Sequence, residues 1–218
     1  AAGLGKRMHS SLPKVLQPIA GSPMIHHVLK TVQALPDVSR TVVVIGHGAD
    51  EVKASLTDFP AVSFALQQPQ LGTGHALQQA LPLLDPAAEM TLVLLGDVPL
   101  IQPETIARLR DAAGDGMALL TAVLRNPTGY GRILRQRGRI VAIVEQKDAT
   151  EGQKQIREIN TGIMLLPTAR LAGWLSELKP ANAQSEYYLT DVIGLAVRDG
   201  VRISSARPRR SFEVRSEE

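Results

Sequence analysis

The sequence predicts an α/β domain in which a largely parallel, twisted mixed sheet is flanked by helices and carries an inserted antiparallel β-hairpin. Three observations predict it. Short runs rich in Val, Leu and Ile alternate with segments of helical periodicity. Turn residues bound each run. In the middle of the chain two strand-like runs are separated by Arg137-Gly138, a hairpin signal.

The elements follow in order. The chain opens on Ala1-Ala2-Gly3-Leu4-Gly5-Lys6-Arg7-Met8, a glycine loop of the kind that normally follows a strand, so a short N-terminal strand is expected ahead of it. Ser22 and Pro23 read as an N-cap and first-turn proline, after which Met24, Ile25, Val28, Leu29, Val32 and Leu35 share one helical face. Strands are predicted at Thr41–Ile45, Val62–Leu66, Thr91–Leu95 and Ala118–Val123, and helices at Gly74–Leu84 and Pro103–Ala113. The hairpin takes Arg132–Leu134 and Arg139–Val144. A further strand is predicted at Ile159–Leu166, then helices at Ala169–Leu178 and Tyr188–Arg198. With no repeat, low-complexity tract or linker, the chain reads as one domain over residues 1–218, the hairpin lying on its substrate side.

Composition narrows the function. Apolar residues make up 44% of the 218 positions, enough for a substantial core, while aromatics are only 3%. Cysteine is absent, which removes disulfides, thiolate metal sites and cysteine nucleophiles. There is no secretory signal and no apolar run of membrane-spanning length, so a cytoplasmic protein without a membrane partner is expected. The net charge of +3 comes from scattered Lys and Arg, with one short cluster at Arg207-Pro208-Arg209-Arg210; no nucleic-acid partner is expected.

Four segments carry chemistry. Gly3 and Gly5 free the backbone to approach a ligand, and successive N–H groups in such a loop can cradle phosphate oxygens, with Lys6, Arg7 and Lys14 adding positive charge. The third glycine of a dinucleotide fingerprint would fall at Met8, and no Gly-Lys-Ser/Thr follows, so neither phosphate motif fits. In the second segment a strand ends in Gly96-Asp97. That places a carboxylate where open α/β sheets bind ligands, either as an Mg²⁺ ligand or as a cap ahead of Pro103. The third, Gln67-Gln68-Pro69-Gln70-Leu71-Gly72-Thr73-Gly74-His75, offers hydrogen-bonding groups for a base edge, or a glycine turn with Thr73 capping a helix. His75 reads as structural. The fourth gathers Gly129-Tyr130-Gly131-Arg132, Glu145 and Asn160-Thr161-Gly162: Gly-Tyr-Gly before a hairpin could set backbone against a sugar, and Glu145 and Asn160 could bond sugar hydroxyls and an N-acetyl group.

Together these segments resemble the sugar-phosphate nucleotidyltransferases. Within them they look most like the uridyltransferase domains of the bacterial bifunctional N-acetylglucosamine-1-phosphate uridyltransferase/glucosamine-1-phosphate acetyltransferases. The narrower signals are Gln70–Ala76, Gly129–Ile133, Val144–Ala149, Glu158–Gly162 and Glu186–Asp191. The resemblance implies a Rossmann-like nucleotidyltransferase fold and transfer of UMP from UTP to N-acetylglucosamine 1-phosphate, with Mg²⁺ as cofactor. The product would be UDP-N-acetylglucosamine, a precursor of peptidoglycan and lipopolysaccharide. It assigns the nucleotide to Ala1, Ala2 and Gly3, the triphosphate to Gly5 and Arg7, and phosphate charge to Lys14. Gln67, Gly72 and Thr73 would read uracil, Leu95 and Gly96 would line the nucleotide site, and Asp97 would bind the metal. Gly131, Glu145 and Asn160 would hold the N-acetylglucosamine moiety, with Tyr188 and Thr190 near the sugar and its phosphate.

Two departures stand out. Where the family carries an Asn as a second magnesium ligand a few residues after a Glu-Val pair, Glu213-Val214 is followed by Arg215-Ser216-Glu217-Glu218, and Glu218 takes that position by count. The family's left-handed β-helix of hexapeptide repeats is not in these 218 residues, so acetyl transfer is not expected of them, and the homotrimer that β-helix would build belongs to the full-length protein. The rivals are a nucleotidyltransferase for another sugar or a molybdopterin-type cofactor, a catalytically silent nucleotide-sugar-binding module, and a dinucleotide dehydrogenase.

Overall fold

The computed structural model describes residues 12–214. Ala1, Ala2, Gly3, Gly5, Arg7 and Glu218 therefore lie outside the described residues. A 3₁₀ turn at Lys14–Leu16 leads into the short strands β1 (Pro18–Ile19) and β2 (Ser22–Pro23), which pair antiparallel. Here the predicted cap fails. Ala20 and Gly21 both take positive φ (48° and 80°) and reverse the chain, so Ser22 is extended and its hydroxyl makes no capping bond. Helix α1 (Met24–Gln33) follows with Pro23 itself at the N-cap, and the Met24 N–H is satisfied by the Gln17 carbonyl at 3.0 Å. Its buried face is Met24, Ile25, Val28 and Leu29.

Then come β3 (Thr41–Ile45), α2 (Ala49–Ser55), β4 (Val62–Leu66), α3 (Thr73–Ala80), β5 (Met90–Val93), α4 (Pro103–Ala113), β6 (Met117–Val123), β7 (Arg132–Gln136), β8 (Arg139–Val144), α5 (Glu151–Lys154), β9 (Glu158–Pro167), α6 (Thr168–Glu177), α7 (Val192–Arg198) and β10 (Ile203–Ala206). The helix predicted through Leu84 stops at Ala80 and tightens into a 3₁₀ turn at Leu81–Leu83, because Pro82 has no N–H to continue the ladder. The helix predicted from Tyr188 begins at Val192, after a 3₁₀ turn at Leu189–Asp191. Besides the two-residue strands β1 and β2, three elements escaped the sequence. Helix α2 buries only Val52, α5 is a single turn, and β10 is the polar run Ile-Ser-Ser-Ala, so none shows a period.

The sheets are open and mixed, but less parallel among the described residues than expected. β3 pairs parallel with β4, and β10 with β6. The ten-residue β9 runs antiparallel to β5, β6 and β7 and so dominates the larger sheet, ordered β10-β6-β9-β7-β8 with β5 also on β9. Strand β6 is buried from Met117 to Ala122 because helices and neighbouring strands cover both its faces.

The hairpin forms as predicted. Arg137 and Gly138 have φ of 49° and 79°, the positive pair a two-residue turn requires, and Gln136 opposes Arg139. It is tied to the sheet through Arg135. Its Nε and Nη2 donate to the two Glu158 oxygens at 2.8 Å each, Nη2 also reaches Ser205 Oγ at 2.9 Å, and Nη1 donates to Gly138 O at 2.9 Å. Ile133, Ile140 and Ile143 pack into the core shared with Trp174, Leu166 and Val192. No helix among the described residues is long and apolar enough to cross a membrane.

Candidate active site

Three groups of side chains assemble at the ends of these elements. At the first, the turn Lys14–Leu16 buries Val15 and Leu16, which leaves Lys14 facing outward. Strand β5 ends at Val93, and the chain runs on through Leu94, Leu95 and Gly96 to Asp97, beyond which Val98 and Ile101 are buried anchors. Lys14 Nζ lies 2.9 Å from Asp97 Oδ2, with both side chains about a quarter exposed (25% and 29%). A cation and a carboxylate thus meet at the carboxyl end of a sheet strand, where ligands of open α/β sheets bind. Asp97 is a metal-ligand candidate of the sparse kind. No cluster of three His, Cys, Asp or Glu residues forms among the described residues. One carboxylate completed by phosphate oxygens and water suits Mg²⁺, which seldom uses an all-protein cage.

The second group is the loop between β4 and α3. Gln67 is buried, and its Nε2 donates to Gly72 O at 2.9 Å. Gly72, the N-cap of α3, takes φ +106°, and a Cβ there would stand 2.6 Å from Tyr187 O. The loop is bonded directly to the segment before α7. Tyr187 N donates to Leu71 O at 2.8 Å, Gly74 N to Tyr187 O at 2.7 Å, and Leu189 N to Thr73 Oγ1 at 3.0 Å. Thr73 is therefore a bridge to the 187–189 segment, not the cap that the alternative reading gave it.

The third group joins Gly131, Glu145, Asn160, Tyr188 and Thr190. Thr190 Oγ1 donates to Glu145 Oε1 at 3.0 Å. Asn160 N donates to Gly131 O at 2.9 Å, and Asn160 Oδ1 accepts from Gly162 N at 3.1 Å. A Cβ at position 131 would be 2.9 Å from Ile143 Cγ2 and 3.2 Å from each Glu145 oxygen, so any side chain there would displace Ile143 and crowd the carboxylate. Tyr188 is buried, with its hydroxyl accepting from Gln184 Nε2 at 2.8 Å. Gly162 (φ +83°) lets Leu95 pack against it, which joins the β5 end to this third group.

Burial raises the Glu145 carboxyl above its ordinary range; Asp148 and Asp191 push the same way, while the Thr190 hydroxyl and Arg132 pull it down. Because the folded carboxyl holds its proton more readily than the unfolded one, ionising it costs stability as pH rises above the ordinary value of 4.5 and through the raised one. Glu145→Gln should therefore melt higher than the wild type at neutral pH, by about 2–4 °C if the cost is near 1 kcal/mol. The difference should vanish as pH falls below 4.5 in thermal scans.

Two residues near the site had no role in the sequence reading. Arg132 is 1% exposed, with Nη1 bonded to Tyr130 O and Nη2 donating to Gln146 Oε1 at 2.7 Å. Gln146 Oε1 also accepts from Gly129 N at 3.1 Å, so the pair holds the Gly129–Gly131 loop in place. Nothing in the spacing signals that an arginine is buried. Its burial follows from the register, which sets Arg132 opposite Val144 and Ile159.

Comparison with known proteins adds the family. A model of the MobA-like NTP transferase domain matches residues 1–163. Curated relatives include the bifunctional protein GlmU of Bordetella petrii, 56% identical over 98% of this chain and 47% of that protein. The GlmU of Paraburkholderia phymatum is 58% identical over 98% of this chain and 47% of its own length. The chain thus spans about half the length of the curated relatives it matches. Among solved structures, a protein described as a glucose-1-phosphate thymidylyltransferase from Bacillus anthracis superposes with a TM-score of 0.75 at 21% identity, covering 95% of this chain and 84% of that one. A UDP-glucose pyrophosphorylase complexed with UDP-glucose gives 0.74 at 19% identity, covering 95% and 88%. At these identities the structures speak to the fold, an α/β nucleotidyltransferase architecture.

Proposed function

Because the chain belongs to the MobA-like NTP transferase domain family, we propose that it joins the UMP moiety of UTP to N-acetylglucosamine 1-phosphate, giving UDP-N-acetylglucosamine and pyrophosphate. The observation that carries the proposal is the Lys14–Asp97 pair at the end of β5, a phosphate-binding cation beside a metal-binding carboxylate. The high identity to GlmU proteins over nearly the whole chain supports the choice of nucleotide and acceptor.

The chemistry brings two polyanions together. A phosphate oxygen of the sugar 1-phosphate attacks the α-phosphorus of UTP in line; a new P–O bond forms as the bond to the bridging oxygen of the β-phosphate breaks, and pyrophosphate leaves. The attacking phosphate is already ionised at neutral pH, so no protein nucleophile or general base is needed. Lys14 screens the repulsion between the phosphates. Mg²⁺ held by Asp97 would add further charge neutralisation. Gln67, Gly72 and Thr73 read the base, and Leu95 and Gly96 line the nucleotide. At the other end Glu145 Oε1 is occupied by Thr190, leaving Oε2 to accept from a sugar hydroxyl, with Gly131, Asn160 and Tyr188 around it. Holding base and sugar at opposite ends aligns the reacting oxygens. Ala1, Ala2, Gly3, Gly5 and Arg7 belong to the same proposal at the triphosphate. So does a cytosolic full-length protein whose remaining half trimerises through a β-helix and which supplies activated sugar for cell-envelope polymers.

The test is Mg²⁺-dependent pyrophosphate release by the full-length protein from UTP plus N-acetylglucosamine 1-phosphate. Release is expected with this pair and is expected to be much slower with glucose 1-phosphate. No release with any sugar 1-phosphate would overturn the proposal.

A further inference from the structure

We infer that His75 sets which base the nucleotide site accepts, by fixing the orientation of the Gln67 side-chain amide; the inference rests on the base-reading role proposed for Gln67. A backbone carbonyl can only accept a hydrogen bond, so the Gln67 atom 2.9 Å from Gly72 O is the amide nitrogen. The second amide hydrogen meets His75 Nδ1 at 3.2 Å. Nδ1 is then the unprotonated ring nitrogen, and the imidazole proton sits on Nε2. His75 Nε2 lies 3.1 Å from Gln79 Nε2, one helical turn on; two N–H groups cannot bond each other, so with the ring proton on Nε2 the Gln79 amide rotates by half a turn and accepts that proton on Oε1. The ring rests beside Tyr187, its centroid 6.4 Å away, in the segment bonded to the base loop.

This relay, Gln79 to His75 to Gln67 to Gly72, uses both hydrogens of the Gln67 amide and leaves Oε1 unbonded. Gln67 is 3% exposed as a residue, yet the one buried side-chain polar atom without a partner among the described residues is Arg132 Nε. Gln67 Oε1 is therefore the one polar side-chain atom of this residue left for a ligand. An acceptor there matches a base edge carrying a ring N–H, as uracil does at N3, and opposes cytosine, whose N3 is itself an acceptor. Turning the amide over would present NH₂ to the ligand and suit cytosine. It would also set Oε1 against two acceptors, Gly72 O and His75 Nδ1. Without His75 only Gly72 O resists that turn. His75 is thus a positioning residue for base selectivity, acting through Gln67 without touching the nucleotide.

The experiment compares full-length wild type, His75→Leu and His75→Asn for kcat/KM with UTP and with CTP at saturating N-acetylglucosamine 1-phosphate, together with KM for the sugar phosphate and the thermal midpoint. One hydrogen bond of ordinary strength separates the two amide orientations, so His75→Leu should lower the UTP-to-CTP ratio by about fivefold or more. Most of that change should come from a gain with CTP, with KM for the sugar phosphate unchanged. His75→Asn, whose Oδ1 can accept where Nδ1 did, should keep the wild-type ratio. An unchanged ratio in His75→Leu, an equal fall with both nucleotides, or a shift in His75→Asn as large as in His75→Leu overturns the inference. If His75→Leu does not fold, Gln79→Leu frees the ring proton to move to Nδ1: a lowered ratio supports the relay and an unchanged one overturns it. Failure of the wild type to use UTP at all would instead remove the uridylyl-transfer reading, and this inference with it.

Discussion

Asp97→Ala is expected to lower kcat by about two to three orders of magnitude, the loss usual when a preorganised electrostatic partner of a transition state is removed. Stability should hardly change. The Lys14–Asp97 pair is partly open to solvent, with both side chains about a quarter exposed, and such pairs contribute about 1 kcal/mol or less. UTP affinity should hold or rise, because Lys14 loses the carboxylate that competes with phosphate for it. The combination of collapsed kcat, retained nucleotide binding and an unmoved thermal midpoint is the signature of a group needed for turnover. Steady-state kinetics across a Mg²⁺ titration, with calorimetric UTP binding, reads all three. A silent nucleotide-binding module would show no turnover to lose.

Gly72→Ala carries the other large effect, and it should strike both substrates at once. At φ +106° any side chain is strained, by about 1–3 kcal/mol, and here the added Cβ would also stand 2.6 Å from Tyr187 O and 2.9 Å from Glu186 Cβ. A backbone oxygen cannot swing aside as a side chain can. The loop must therefore part from the 187–189 segment, breaking the bonds from Tyr187 N to Leu71 O and from Gly74 N to Tyr187 O. Since Tyr188 lies on that segment and Thr190 directly follows it, KM should rise for the sugar phosphate as well as for UTP, each by about tenfold or more, the equivalent of roughly 1.4 kcal/mol. Gly21→Ala is the control. Its φ is +80°, but a Cβ there meets nothing within 4 Å, so it should cost stability alone and leave both KM values in place.

These effects were legible in the sequence to different depths. The strands Thr41–Ile45 and Val62–Leu66 and the helix Pro103–Ala113 emerge with the predicted bounds, because each buries a regular stripe between turn residues. The place of Asp97 was legible because a carboxylate just beyond a strand's glycine emerges at the strand's carboxyl end. The structure adds that Lys14 holds it, across 83 positions of sequence (97 − 14), which no local pattern reveals. Ser22 misled because an N-cap is recognised by residue type, while the Ala20-Gly21 reversal decided its backbone. The antiparallel majority was hidden for a similar reason. Alternation of strands and helices predicts the layers, but the direction of β9 is set by long-range pairing with β5 and β6. His75 was read as structural, and in contact terms it is; its consequence appears only when the two hydrogens of its neighbour Gln67 are followed to their acceptors.

The fork of Arg135 onto Glu158 and Ser205 has an implication for how the site receives its acceptor. It fastens the hairpin to β9 and also to a residue of β10, at the far side of the same sheet, while three isoleucines anchor it from below. The wall, which carries Gly131 and Glu145 side by side at the hairpin's open end, is thus a fixed surface. It stands ready before any ligand arrives, so little ordering free energy is withdrawn from acceptor binding. On the proposed acceptor side, discrimination between sugars would then be a matter of static shape: a sugar that does not fit beside Gly131, Glu145 and Asn160 would find no alternative position of the wall to exploit.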